Sequence, residues 1–155
     1  MRKTVQLVLA AVVGLNAACA AAVQSCATPG HRAFDFWLGD WTVQTPQGKT
    51  PSRSRVSKEL GGCVVRERMD IGEGLVGESV SAYDDSRDMW VHTWVDNAGT
   101  VLHLEGRMRN GQMVLEGETA LSARTVFSHR ITWTSYADGS VRQRWETLSP
   151  QGELR

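Results

Sequence analysis

Between residues 40 and 147 the chain alternates apolar and polar side chains in short runs. Turn formers interrupt these runs at Pro46-Gln47-Gly48, Gly72-Glu73-Gly74, Asp84-Asp85, Asp96-Asn97-Ala98-Gly99, Asn110-Gly111, Asp138-Gly139 and Pro150-Gln151-Gly152. A period of two sends successive side chains to opposite faces of a strand, and no segment keeps the longer period of an amphipathic helix. The pattern predicts nine strands, near residues 40–45, 53–59, 64–71, 75–83, 88–95, 100–108, 112–118, 126–136 and 140–147. Their spacing is that of an antiparallel meander. Asn110-Gly111 and Asp138-Gly139 are the strongest hairpin signals, because both central positions of a type I′ turn need positive φ and these residues tolerate it. Nine strands in one domain must close or stack to remove their edges, so the expected fold is all-β, a meander closing into a barrel.

Strand parity then sorts the side chains. With a two-residue loop at Asn97-Ala98, His92 faces His103, and Trp90, His92, Trp94, Val101, His103 and Glu105 share one face. Continuing through Asn110-Gly111 adds Arg107, Val114, Glu116 and Glu118 to it. Val91, Val95, Leu102, Leu104, Met108, Met113 and Leu115 fall on the other face, which is the more apolar. Two placements follow. Either the aliphatic face is the core and the His/Glu face is wet, with neighbours covering the tryptophans, or a wide lumen holds Trp90, His92, Trp94, His103 and Glu105 as ligand-binding residues. The second arrangement offers stacking surfaces beside a few convergent polar groups, the usual make-up of a small-molecule pocket.

The stretch FDFWLGDW, from Phe34 to Trp41, places Gly39-Asp40-Trp41 at the start of the first strand behind a short hydrophobic turn. Together with Gly62-Cys63, Tyr83-Asp84, Trp90-x-His92-x-Trp94-Val95-Asp96 and Gly106, it resembles a family of exported bacterial proteins of unassigned function that look like lipocalin-like (calycin) barrels. The resemblance runs from about Cys26 to Trp145, and FDFWLGDW is its most specific part. It implies that the N-terminal turn plugs one end of the barrel, that Gly39 allows the bend into the first strand, and that Phe34, Phe36, Trp37 and Trp41 are packing residues. In such barrels a late arginine stacks on the first tryptophan, a part open here to Arg142 or Arg144. Relatives continue with a Gly-rich, Trp-containing hairpin and a further strand. This chain stops at Arg155, so the expectation is a barrel left open at its C-terminal side or a reading frame that ended early.

The N-terminus reads as an export signal over residues 1–22: Arg2 and Lys3, the apolar run from Val5 to Leu15, then small residues ending in Ala18, Ala20 and Ala22. It is too short to span as a membrane helix. A rival reading is a lipoprotein anchored through Cys19, although Asn16 stands where a lipobox has leucine. Residues 23–155 then form one domain in the periplasm or outside the cell. Signal removal leaves 15 basic residues against 17 acidic, a net charge of −2, and two cysteines, Cys26 and Cys63, suited to a disulfide in an oxidising space. With no basic run, the chain lacks the positive stripe a nucleic-acid partner needs.

Candidate chemistry is sparse. Ser79, Ser81 and Ser135 lack a nucleophile-elbow context, and the cysteines have no CxxC or clustered histidine around them. Two histidines and a glutamate are a thin basis for zinc. Haem-binding barrels of this shape carry their axial histidine near the C-terminus, where this chain has only His129, so no cofactor is expected. Glu67, Glu105 and Glu116 would have raised pKa values inside a lumen, and surface carboxylates explain them at least as well. The leading expectation is an exported, non-catalytic barrel that binds a small, partly apolar or aromatic molecule. The alternatives are a barrel hydrolase or isomerase using His92 or His103 beside a glutamate, and an envelope interaction domain without a small ligand.

Overall fold

In a computed structural model of the protein, residues 26–44, 51–122 and 125–148 are described. The expected signal at 1–22, Cys19, Thr45 and the turns at 46–48 and 150–152 lie outside them. A one-turn helix, α1 (Pro29–Arg32), and a 3₁₀ turn (Asp35–Trp37) precede nine strands: β1 (Gly39–Val43), β2 (Ser52–Glu59), β3 (Val64–Gly72), β4 (Leu75–Asp84), β5 (Met89–Asp96), β6 (Val101–Arg109), β7 (Gln112–Ser122), β8 (Thr125–Ser135) and β9 (Val141–Leu148). Each strand pairs antiparallel with the next, in the order β1 to β9, and the sheet curls into a half-barrel. All nine predicted strands are present. The barrel does not close among the described residues, since β1 and β9 are opposite edges of the sheet.

The inner face carries the core. Val56, Val65, Trp90, Leu102, Leu104, Met113, Leu115, Ile131 and Trp133 are buried there. Curvature depends on glycine at β6–β7. A Cβ on Gly106 would stand 2.0 Å from the Val114 carbonyl oxygen, and one on Gly117 would stand 2.0 Å from that of His103. Only glycine lets the two backbones approach so closely.

The N-terminal segment plugs one end of this face. Thr28 caps α1 by accepting from the His31 amide, and Pro29 occupies the first turn, where its missing N–H is not needed. The Phe34 ring stacks on Trp37 at 4.8 Å and meets Trp90 and Trp133 edge-on at 5.4 and 5.2 Å. The Trp90 indole donates to the Gly30 carbonyl at 3.2 Å, and Lys58 pairs with Asp35 at 2.6 Å. Phe36 and Trp41 pack partly buried against the same cluster, and the Trp41 indole donates to the Trp37 carbonyl. The disulfide Cys26–Cys63 ties the start of the plug to the β2–β3 connection, as expected from the cysteine count. Neither late arginine is on Trp41: Arg142 lies over Tyr136 at 5.8 Å and Arg144 pairs with Glu146, because β9 is the far edge of the sheet.

Two loops correct the predicted register. Asn110-Gly111 has φ of +52° and +78°, as a two-residue I′ turn requires, and sets Arg107 opposite Val114. The turn after β5 has one residue more than expected: Val95 pairs with Val101, Thr100 O accepts from Asp96 N, and Gly99 takes φ +88°. Asp138-Gly139 is built the same way, with Tyr136 N donating to Ser140 O and only Gly139 at positive φ. Both are three-residue hairpin loops ending in a left-handed glycine. The Asp96 carboxylate fixes the first by accepting from the Ala98 and Thr100 amides, and Asn97 bonds across to Gly74 and Val76.

Two stability outcomes follow. Gly106→Ala should lower the urea midpoint markedly, by about 1–3 kcal/mol or more of unfolding free energy, while Gly111→Ala, with no atoms within 4 Å, should cost only its backbone strain. Opening the 37-residue disulfide loop with Cys26→Ser and Cys63→Ser together should cost roughly 3–4 kcal/mol on the chain-entropy account. Equal urea midpoints for the oxidised protein and the double variant would rule that contribution out.

Candidate functional site

The one-residue shift after β5 separates two of the five predicted ligand residues from the other three. A slip of one position exchanges the faces of every side chain on a strand. His92 pairs with Leu104 and Trp94 with Leu102, while His103 pairs with Thr93 and Glu105 with Val91. Trp90, His92 and Trp94 therefore lie on the inner face among the aliphatic residues, whereas His103 and Glu105 lie outside. His103 bonds Thr93 Oγ1 at 3.0 Å and Glu105 bonds Arg87 at 3.0 Å. Glu116 is also external, paired with Arg130 at 2.7 Å. His92 and His103 are on opposite faces and do not form one acid–base pair.

Trp90 belongs to the plug, fully enclosed by Phe34 and Tyr83. Toward the other end, the inner face of β1–β5 turns polar. Glu67, 5% exposed, is held by two serine hydroxyls: Ser54 donates to Oε1 at 2.6 Å and Ser79 to Oε2 at 3.3 Å. The register places Trp41 beside Ser54 and Trp94 beside Ser79, so a partly buried tryptophan stands next to each serine that holds the carboxyl group. Trp94 lies against Gly77, where a Cβ would be 2.1 Å from its ring, and its N–H donates to Asp96 at 3.2 Å. The sequence names Glu67 only together with Glu105 and Glu116 as glutamates whose pKa a lumen would raise, and of the three Glu67 alone lies inside. The serines on either side of it were missed as its partners, because nothing in sequence aligns β2, β3 and β4 until their register is known.

One row further in, Ser81 bonds His92 Nδ1 at 2.8 Å. The pair has the spacing of a hydroxyl and its base, but Ser81 is fully buried and the His92 ring lies against Trp133 at 5.7 Å. Its evident role is mutual satisfaction of two buried polar groups. The Trp133 indole N–H, also buried, has no partner among the described residues. No group of three or more metal-ligating side chains occurs among the described residues. Two open grooves, each about 480 Å³, are lined largely by charged side chains that alternation puts on the outer face: Glu116, Glu118, Arg130 and Glu146 in one, and Asp40, Arg53, Arg55, Arg68 and Asp70 in the other, which also reaches Trp41 and Ser54.

No family model matches the chain, and no curated protein matches it. The arrangement of the site therefore carries the functional argument.

Burial drives the two internal titratable groups apart. Desolvation pushes the Glu67 carboxyl above its ordinary 4.5 despite the two serine hydrogen bonds, and pushes His92 down to about 4 from 6.5. The folded state thus holds more protons than the unfolded chain at Glu67 and fewer at His92. Stability contributed by neutral Glu67 is lost as pH rises above 4.5, and the cost of His92 appears as pH falls from 6.5 toward 4, reaching roughly 3 kcal/mol. In urea titrations across this range, Glu67→Gln should flatten the decline at higher pH and His92→Gln the decline at lower pH. A wild-type pH profile reproduced by both variants would show that neither group is desolvated.

Proposed function

We propose that the protein is an exported binding module that holds a small, partly apolar molecule on the inner face of β1–β5, between Trp41, which borders the plug, and Trp94. The observation that carries the reading is the run Trp41, Ser54, Glu67, Ser79 and Trp94: a buried carboxyl group fixed by two hydroxyls, each serine beside a tryptophan that is not fully enclosed. Desolvation favours the neutral acid, which can donate a hydrogen bond to a carbonyl, ether or hydroxyl oxygen of an uncharged ligand. The flanking indoles supply flat apolar surface for a ring or a conjugated chain. The disulfide accords with an oxidising compartment, and the signal-like N-terminus and the resemblance to exported lipocalin-like proteins support the same address and the same use of the barrel.

The test is intrinsic fluorescence of the exported protein titrated with fatty acids, isoprenoids and neutral aromatic compounds. A cognate class should quench the tryptophan emission. Trp94→Phe should remove most of the quenching, and Glu67→Gln should weaken binding about fivefold, the worth of one neutral hydrogen bond. Trp90→Phe, inside the plug, should leave affinity unchanged. Emission unmoved by the whole panel would overturn the proposal.

A further inference from the structure

β9 pairs with β8 and with no other strand among the described residues, so its outer edge presents a row of backbone donors and acceptors. Proteins usually blunt such edges with charged side chains, lysine above all, with proline or with a bulge. Residues 141–148 contain neither lysine nor proline, and their register against β8 is unbroken. On the inner face of this edge Trp145 is 50% exposed, although its β8 partner Ile131 is only 3% exposed. Its indole donates to His129 Nδ1 at 3.2 Å, which holds the ring toward β8. On the outer face stand Arg142, Arg144 and Glu146, with Arg144 and Glu146 paired at 3.0 Å.

This pattern is complementary to itself. Turned about a two-fold axis through Trp145, an antiparallel copy of β9 sets Trp145 against Trp145, Gln143 against Thr147, and Arg144 against Glu146 in both directions. The neighbouring registers that keep the inner faces together set Arg144 against Arg144 or Glu146 against Glu146, and like charges directly opposite repel. We propose that the protein forms a homodimer by antiparallel pairing of two β9 edges, centred on Trp145 and fixed in register by the reciprocal Arg144–Glu146 pairs. The two half-barrels then form one continuous sheet, and each edge covers the other. The proposal does not depend on what the inner face binds.

Sedimentation equilibrium of the full exported chain, from about 1 μM to about 1 mM, the range in which modest interfaces dissociate, should show reversible dimerisation. Hydrogen exchange at the β9 amides should slow as concentration rises. Arg144→Glu and Glu146→Arg should each weaken the dimer about tenfold or more. Arg144→Glu is the cleaner variant, because Glu146→Arg adds a cation beside Arg130 on β8. An equimolar mixture of the two should give a heterodimer, and the combined exchange R144E/E146R should recover the homodimer. Unchanged far-ultraviolet circular dichroism checks that the variants stay folded. A monomer at every concentration overturns the proposal, with β9 amides protected or not, and so does a dimer that neither charge reversal weakens.

Discussion

The half-barrel depends on the contact between its N-terminal plug and the inner face. Among the described residues the curled sheet does not close, and the apolar concavity it offers needs a cover from outside the sheet. Phe34 and Trp37 fill one end of that concavity against Trp90 and Trp133, each ring removing on the order of 150–250 Å² from water. The remaining devices hold this cluster in place: the Trp90–Gly30 hydrogen bond, the Lys58–Asp35 pair and the disulfide. Gly30 is part of the same constraint, since a Cβ there would be 2.4 Å from the Tyr83 ring.

Filling one end leaves the polarity of the other end as the distinctive feature of the molecule. Outside, charges pair across strands in water: Asp40 with Arg55, Arg66 and Arg68 with Glu78, Arg87 with Glu105, and Arg130 with Glu116. Exposed pairs of this kind contribute little each and chiefly keep the outer face soluble. Inside, Glu67 and His92 have no opposite charge to meet and are satisfied by serine hydroxyls, so burial works against the charged form of each. A buried polar row of this kind weakens a core that aliphatic residues would fill more favourably, and its position beside two partly open indoles gives that cost a use.

Loop length is the second constraint on the site. A single residue between Asp96 and Thr100 decides whether His92 looks at His103 or at Leu104. The extra residue is kept by contacts that reach beyond its own hairpin, because Asn97 bonds the backbone of the β3–β4 connection at Gly74 and of β4 at Val76. The resulting parity puts Trp90, His92 and Trp94 in the core and exports His103 and Glu105.

The sequence by itself determined the strands, their order, the pairing of Cys26 with Cys63 and the packing role of Phe34 and Trp37. Each of these rests on local signals: period-two alternation, turn formers with tolerable positive φ, an even cysteine count, and aromatic residues gathered ahead of a glycine. Alternation also separated two sets of side chains within each strand correctly. Which sets meet across neighbouring strands was decided by tertiary structure, because Asp96-Asn97-Ala98-Gly99 is compatible with a two- or a three-residue loop and the choice is made by hydrogen bonds to residues more than 20 positions away. The Ser54–Glu67–Ser79 cluster belongs to the same class, its members spread over β2, β3 and β4 and brought together only when three registers are fixed at once. That β9 pairs only with β8 among the described residues is likewise a property of the folded sheet, since strand propensity states that a segment can pair and only the curvature of the whole sheet decides with what.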